Sequence, residues 1–205
     1  MNRIKLISSL LLFFLLLSAA GSSFAQNDQR PPIEPSYDVV LQIVVGGGDD
    51  KATTAALPQN LAGIARQLRV NYPYADYKLA NTYVGRIGVN GNLEYKSISN
   101  VFGQTQQGDT PSFWEWSLGG LRASQNAGGR NDLGLQTFRF GAKIPVRTGS
   151  TKDSSGNTQQ IVNYENIGLN SARLSMLENT PTLIGSLALP NTLGTAFLVL
   201  TLRPV

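Results

Sequence analysis

The chain has 205 residues, a formal net charge of +4, no cysteine and no histidine. The lack of cysteine excludes disulfides and thiolate metal sites. The lack of histidine excludes His-based catalytic triads, imidazole metal ligands and histidine general bases. The basic residues are scattered along the chain, so none of its segments can follow a phosphate backbone and nucleic-acid binding is not expected.

The first 25 residues have the order of a bacterial secretory signal peptide. Arg3 and Lys5 form a cationic start, an apolar stretch covers residues 6–20, and small residues follow. The apolar stretch is shorter than the roughly 20 residues that a membrane-spanning helix needs. We therefore expect cleavage between Ala25 and Gln26 and release to the periplasm or the medium, with no membrane span in the mature protein. An uncleaved N-terminal anchor is the alternative.

The mature part begins with a polar segment, residues 26–35, whose three prolines predict an extended leader. A first strand is predicted over residues 37–45, because six of those residues are valine, isoleucine or leucine. A run this apolar indicates a strand that is buried on both faces. Leu61, Ile64 and Leu68 then fall at helical spacing and predict one helix over residues 59–71 that packs a single stripe on a sheet.

Beyond the helix, apolar and polar residues alternate, which is typical of strands. The alternation is interrupted at residues 90–92 and then resumes, which predicts a β-hairpin. A three-residue loop keeps one face of this hairpin apolar, because it pairs Val89 with Leu93 and Ile87 with Tyr95. We therefore predict the three-residue loop.

Further strands are predicted over residues 113–122, 135–146, 160–174, 182–187 and 195–202, with turn-rich segments between them. The last of these is nearly all apolar, so we expect a central strand with both faces covered. The predicted fold class is α+β: a single β-rich domain over residues 36–205, with about seven or eight strands in a sandwich or partial barrel and one helix packed on them.

Two segments share features with ligand-binding loops, but neither fits its motif. Residues 46–53 follow a predicted strand and contain a lysine, yet Val45 and Asp50 stand where a phosphate loop requires glycine. Residues 153–157 offer oxygen ligands beside a glycine but lack the closing acidic residue of a calcium loop. Asp49 and Asp50 by themselves are a poor cation site. We therefore expect no cofactor and no bound metal.

Three glutamates in predicted strands are the candidates for catalysis. Glycoside hydrolysis needs two carboxyl groups about 5 to 10 Å apart and no histidine. Glu94, Glu115 and Glu165 each stand next to an aromatic residue, as acids in a sugar cleft do. Isolated glutamates on the wet face of a sheet are far commoner, so we predict no enzymatic activity and keep a secreted, glycosidase-like hydrolase as the alternative.

The most distinctive local feature is the segment that holds both tryptophans, Trp114 and Trp116, with Glu115 between them. Neighbouring side chains of a strand point to opposite faces. If the tryptophans point outward, they and Glu115 mark a surface for a partner or a glycan. If they point inward they belong to the core, which is where large aromatic residues usually lie.

Two C-terminal segments, residues 179–187 (N-T-P-T-L-I-G-S-L) and 197–205 (F-L-V-L-T-L-R-P-V), resemble paired segments near the end of the secretin channel domain. In that family a strand of the form G-Q-T-V-V-I-G-G-L is followed by one of the form E-L-V-I-L-L-T-P-R. Here Asn179 stands where the family has glycine, and Pro204 follows an arginine instead of preceding it. The resemblance implies a small envelope protein that shares one β-module with type II or type III secretion machinery, and it carries over no functional residue.

These observations lead to one expectation with two alternatives. We expect an exported, non-enzymatic protein of the cell envelope or the medium that acts by binding or as a structural component. Its partner is not identified by the sequence, and an envelope protein or a surface glycan are the classes considered. The alternatives are the carboxylate-pair hydrolase and a small outer-membrane or secretion-system-associated β protein.

Overall fold

The computed structural model describes residues 34–47, 57–99, 110–125, 128, 131–190 and 194–205. In these ranges the chain is β-rich, with nine strands and one short helix, which confirms the predicted fold class. The helix α1 (Ala62–Asn71) continues a 3-10 turn (Gln59–Leu61). The strands are β1 (Ser36–Gly46), β2 (Tyr77–Gly88), β3 (Asn92–Ser99), β4 (Ser112–Gly119), β5 (Arg122–Gln125), β6 (Asn131–Lys152), β7 (Thr158–Leu177), β8 (Thr182–Ala188) and β9 (Thr195–Pro204). None of the helical residues described here makes a stretch long and apolar enough to cross a membrane.

The first sheet has the strand order β2-β1-β9-β8, and all of its pairs are antiparallel. Its two central strands are the nearly continuous apolar runs of the sequence, and both of their faces are covered. On β1, Leu41 and Ile43 point into one core while Val44 points into another. On β9, Leu198 points into the first of these cores and Phe197 points into the second. The prediction that these two strands are buried on both faces is confirmed.

Helix α1 packs on one face of the first sheet, as its apolar stripe predicts. Ile64 and Leu68 are buried against Val44 and Phe197. The hydroxyl of Tyr77 donates to the Leu68 carbonyl at 3.0 Å, so a side chain at the start of β2 satisfies a carbonyl near the end of the helix. The predicted helix over residues 59–71 is confirmed, with its first turn in the tighter 3-10 form.

The second sheet has the order β3-β4-β6-β7. The short strand β5 follows β4 along the same side of β6. Gly119 pairs with Thr137 and Arg122 pairs with Gly134, so β4 and β5 keep a single register on β6. The pairing with β6 is interrupted between them at Gly120. This residue has φ of 65°, a left-handed conformation that favours glycine. The single strand predicted over residues 113–122 is therefore two strands, which accounts for the ninth strand.

The predicted hairpin of β2 and β3 is wrong, because the two strands belong to different sheets. Ile87 pairs with Tyr37 of β1, whereas Tyr95 pairs with Trp116 of β4. Residues adjacent in sequence therefore turn a corner between two layers instead of pairing with each other. The alternation of apolar residues is the same in both arrangements, since each strand has one face toward the core in either case.

A tight turn makes this corner. The amide of Gly91 donates to the Gly88 carbonyl at 3.0 Å, and Asn90 has φ of 60°. The amide of Asn90 donates at 2.8 Å to the carbonyl of Leu121, which lies in the break between β4 and β5. The turn is thereby fixed to the second sheet, and the chain enters β3 beside β4 instead of folding back along β2.

The two sheets pack face to face, and the main core lies between them. This is the sandwich alternative of the predicted fold. The chain thus stacks α1, the first sheet and the second sheet in three layers, and no described helix or strand covers the outer face of the second sheet. The largest fully buried side chains of the interior include Trp116, Phe138, Leu41, Ile43, Leu118, Leu121, Leu133, Leu135 and Ile144.

Candidate binding groove

The side chains of residues 113–116 on β4 alternate between the two faces of the second sheet. Trp114 and Trp116 are each 2% exposed and point into the sandwich, where Trp116 stacks on Tyr95 with ring centroids 5.7 Å apart. Phe113 and Glu115 point outward. Of the three residues considered as a partner surface, only Glu115 lies on the surface. The two tryptophans belong to the core, which is the alternative that the sequence left open.

Residues that face each other across antiparallel strands point to the same side of the sheet. The outer face of the second sheet is therefore built from three rows that run across β3, β4, β6 and β7. The rows are Ile98, Phe113, Lys143 and Asn166; Lys96, Glu115, Gly141 and Gly168; and Glu94, Ser117, Arg139 and Asn170.

A groove of about 1090 Å³ lies on this face. Gly141 lies in its floor, and the side chain of Glu115 extends over this glycine. The surrounding side chains are Lys96, Ile98, Phe113, Lys143, Tyr164 and Asn166. The sequence alone did not indicate this groove, because its residues come from four strands.

One end of the groove is aromatic. The rings of Phe113 and Tyr164 are 5.6 Å apart at an interplanar angle of 55°, and each residue is 40% exposed. The Tyr164 hydroxyl donates to the Pro111 carbonyl at 3.1 Å, which holds this ring in place. Ile98 lies directly opposite Phe113 and is 65% exposed. Together these three side chains, which we call the apolar cluster, form a continuous exposed surface.

Charged groups of both signs border the rest of the groove. The Lys96 ammonium lies 3.0 Å from the Glu94 carboxylate, and this hydrogen bond, with the nearby charges of Glu94 and Glu115, raises the pKa of Lys96. Glu115 lies over Gly141, so its carboxylate borders the groove. Lys143 makes no ion pair with any residue that the structure describes, and its charge is available to a ligand.

Two of the three candidate catalytic carboxylates come together. Glu94 and Glu115 line a smaller depression of about 470 Å³ beside the groove, with Arg139 and Asn170 on its far side. Glu165 does not join them. It pairs with Ile144, which is fully buried, so Glu165 belongs to the opposite face of the sheet.

The loops considered for cations show no metal site in the part of the chain that the structure describes. That part contains no cluster of three acidic residues. The Asp153 carboxylate accepts hydrogen bonds from the amides of Ser155 and Asn157, at 2.9 and 2.8 Å, and these bonds lower its pKa. It therefore closes the tip of the hairpin between β6 and β7. Asp49 and Asp50 lie outside the described residues.

No family model and no curated protein matches the chain. Among solved structures, the chain is similar to the InvG secretin-domain β-barrel from the Salmonella SPI-1 injectisome NC-base, with 10% sequence identity and a TM-score of 0.29. The similarity covers 96% of this chain and 67% of that one. It is a weak structural resemblance to a secretin domain, and it assigns no residue and no function.

The two segments that resemble the secretin family are neighbours in the first sheet. Strand β8 pairs with β9, so that Leu187 lies opposite Ala196. Asn179, at the position of the family's glycine, has φ of 58°, a conformation that glycine adopts without strain and asparagine tolerates.

Proposed function

We propose that the chain is an exported, non-enzymatic protein of the cell envelope that binds a partner on the outer face of its second sheet. The observation that carries this proposal is the apolar cluster of Ile98, Phe113 and Tyr164, which stands exposed on a sheet face that no described element covers. Contiguous exposed apolar side chains beside polar ones mark interaction sites in soluble proteins.

The composition of the face supports binding. An interface combines a central apolar contact with a polar rim. Here Lys96, Glu115 and Lys143 border the apolar cluster and supply charged groups of both signs. The face is also pre-organised, because Phe113 is carried on β4, which pairs on both sides, and Tyr164 is fixed by its own hydrogen bond.

Export and the absence of catalysis rest on the sequence. The signal-like first 25 residues support export to the periplasm or the medium. The lack of histidine and cysteine removes the side chains on which most hydrolases and metalloenzymes depend. Expression of the full chain in a bacterium, followed by N-terminal sequencing of each cell fraction, tests export. We expect a soluble product that begins at Gln26, and an intact Met1 in the membrane fraction would contradict it.

Retention on isolated envelopes tests the binding face. The exported protein is mixed with washed envelopes, and the bound fraction is compared for wild type, the double variant Phe113→Ala with Tyr164→Ala, and Val70→Ala. Val70 is the matched control, because it is an apolar residue 83% exposed on the helix, far in sequence from the groove. Residues at the centre of an interface each contribute more than about 1 kcal/mol, so the double variant should bind at least about tenfold more weakly.

Wild type and Val70→Ala are expected to bind alike. Equal retention of all three proteins would contradict the proposed binding face. Circular dichroism of the double variant checks that its fold is intact, which its two half-exposed positions favour.

A carboxylate-pair hydrolase is the second candidate, because Glu94 and Glu115 share one depression. It ranks lower, since the Glu94 carboxylate is already held in an ion pair by the Lys96 ammonium, at 3.0 Å. Release of reducing sugar from envelope polysaccharide, lost in Glu115→Gln, would establish it. No release by wild type would leave binding as the function.

The association with secretion machinery that residues 179–205 imply is a proposal of its own. Its test is co-purification of the exported chain with a secretin from the same cells. A complex that survives washing would support it, and recovery of the chain alone would contradict it.

A further inference from the structure

We infer that β7 pairs with β7 of a second copy of the chain, antiparallel and with the two-fold axis at Tyr164. In the described part of the chain β7 pairs with β6 and with no second strand, and we call its unpaired side the free edge. The inference goes beyond the proposed function, because it concerns the edge of the second sheet and names a further partner.

The free edge of β7 is long, and its chemistry selects a strand as the partner. Among the described strands that pair on one side only, β7 is the longest, with 20 residues against 12 in β2. A free edge presents a row of backbone N–H and C=O groups, and only water or another extended strand can satisfy such a row.

The other edge strands are protected in ways that β7 is not. Soluble proteins protect a sheet edge with a short strand, charged side chains, proline or a bulge. Strand β8 is short, and β2 and β3 each carry two charged residues, which are Lys78 and Arg86 on β2 and Glu94 and Lys96 on β3. Over residues 158–172, β7 has one charged residue, Glu165, and no proline. Its left-handed residue, Arg173 with φ of 56°, lies beyond that segment.

A second copy complements this edge in one register. Antiparallel pairing of two identical strands is symmetric about a two-fold axis. An axis at Tyr164 places Glu165 opposite Asn163 of the second copy and Ile167 opposite Ile161 of the second copy. An axis at Glu165 would set two carboxylates opposite each other, and an axis at Asn166 would set Glu165 opposite Ile167. Both of those pairs are unfavourable.

This register also covers exposed apolar side chains. Ile161 is 46% exposed and lies on the same side of β7 as Ile167, because alternate residues of a strand share a face. Pairing covers Ile161 with Ile167 of the second copy. Tyr164 comes to lie beside Tyr164 of the second copy, so the two apolar clusters become neighbours. Ile98 and Phe113, on strands away from this edge, stay exposed in the dimer.

Sedimentation equilibrium of the exported protein, with no other protein present, tests the pairing. We expect a monomer–dimer equilibrium that Ile161→Lys weakens about tenfold or more, since it removes a contact beside the axis. Ile98→Lys is the matched control, because it makes the same change at an exposed isoleucine on the opposite edge strand, and it should leave the dimer unchanged. Circular dichroism checks that both variants are folded.

Two results of this experiment would overturn the inference. A monomer at every concentration up to the solubility limit would show that the edge takes a foreign strand or none. A dimer that Ile161→Lys does not weaken would show that the copies meet elsewhere.

Disulfide formation tests the register, and the chain has no cysteine of its own to interfere. In Tyr164→Cys the two Cβ atoms would lie about 4.5 to 5.5 Å apart across the axis, which a small movement closes to a disulfide. Glutathione disulfide should therefore link this variant into a covalent dimer. In Gln160→Cys, residue 160 lies opposite residue 168 of the second copy, so its two thiols would be about 27 Å apart and should stay unlinked. Equal linking of both variants would overturn the register.

The envelope assay separates this inference from the proposed function. If the protein is monomeric while envelope retention still depends on Phe113, the pairing is overturned and the binding face stands. If the dimer forms with the expected register while retention does not depend on Phe113, the binding face is overturned and the pairing stands.

Discussion

Glu115 lies directly over Gly141 on the outer face of the second sheet, where a methyl group at position 141 would stand 3.3 Å from both its Cγ and its Oε1. The contact exists because the two residues are opposite each other on β4 and β6 and one of them has no side chain. Trp114 and Trp116 lie on the other side of the same strand, inside the sandwich. A single alternating segment thus supplies both the core and the border of the groove.

The substitution Gly120→Ala is expected to destabilise the fold by about 1 to 3 kcal/mol, because it places a Cβ on a left-handed residue. The new Cβ would stand 2.6 Å from the Gln136 side chain, and φ at this position is 65°. Gly134→Ala is the control, since a Cβ there meets nothing within 4 Å. Urea unfolding measures both. Equal midpoints for the two variants would show that the break between β4 and β5 is not strained.

Trp116→Ala is expected to lower the free energy of unfolding by about 3 to 5 kcal/mol, as for other large aromatic side chains removed from a core. Phe113→Ala should cost about 1 kcal/mol or less, because surface positions tolerate truncation. The two positions are three residues apart on one strand but lie on opposite faces. Denaturation followed by far-ultraviolet circular dichroism compares them without relying on tryptophan emission. A larger loss for Phe113→Ala would reverse the assignment of the faces.

The sequence predicted the elements better than their partners. Burial of the apolar runs of β1 and β9 followed from composition, because such runs are unfavourable in contact with water. The same holds for the helical stripe of Leu61, Ile64 and Leu68. The pairing of Ile87 did not follow, because an alternating strand can place its apolar face against any sheet. The pairing of strands that are distant in sequence depends on which other strands can occupy the same sheet edge. The local pattern of apolar residues does not contain that information.

The candidate site was predictable only in part. Glu115 was identified as a surface candidate, and it does border the groove. Alternation leaves open which of the two faces of β4 is the core, so Phe113 and the tryptophans could not be assigned from the pattern alone. Ile98 and Tyr164 come from strands distant in sequence, and only the register across four strands brings them together with Phe113.

The stability of the protein should fall as the pH rises from about 10 to 12, and Tyr83→Phe should reduce that fall. Burial, and secondarily the neighbouring Tyr95, raises the pKa of Tyr83 to about 12. In the unfolded chain the same group loses its proton near pH 10. Between these values the unfolded state binds fewer protons than the folded state, so the stabilisation present below pH 10 is lost as the pH rises.

Absorbance of tyrosinate and urea unfolding, both measured across this pH range, test the assignment. Tyr37 and Tyr77 also have raised pKa values because of burial, so the variant should retain part of the pH dependence. Identical pH profiles for wild type and Tyr83→Phe would contradict the assignment.

Gly63→Ala is expected to stabilise the protein by about 0.5 to 1 kcal/mol, because alanine has the higher helix propensity. Gly63 lies on the exposed side of α1, and an added Cβ would meet nothing within 4 Å. The thermal midpoint should therefore rise. A fall would indicate that the exposed side of the helix needs its small residue for another contact.

Site-specific photocrosslinking tests the proposed binding face most directly. A photoreactive amino acid replaces Ile98 in the apolar cluster or Val70 on the helix, which are 65% and 83% exposed. Each exported protein is irradiated on washed envelopes, and the covalent adducts are separated by mass. The account predicts a discrete adduct from position 98 and none from position 70. Equal labelling from both positions, or labelling from position 70 alone, would contradict it.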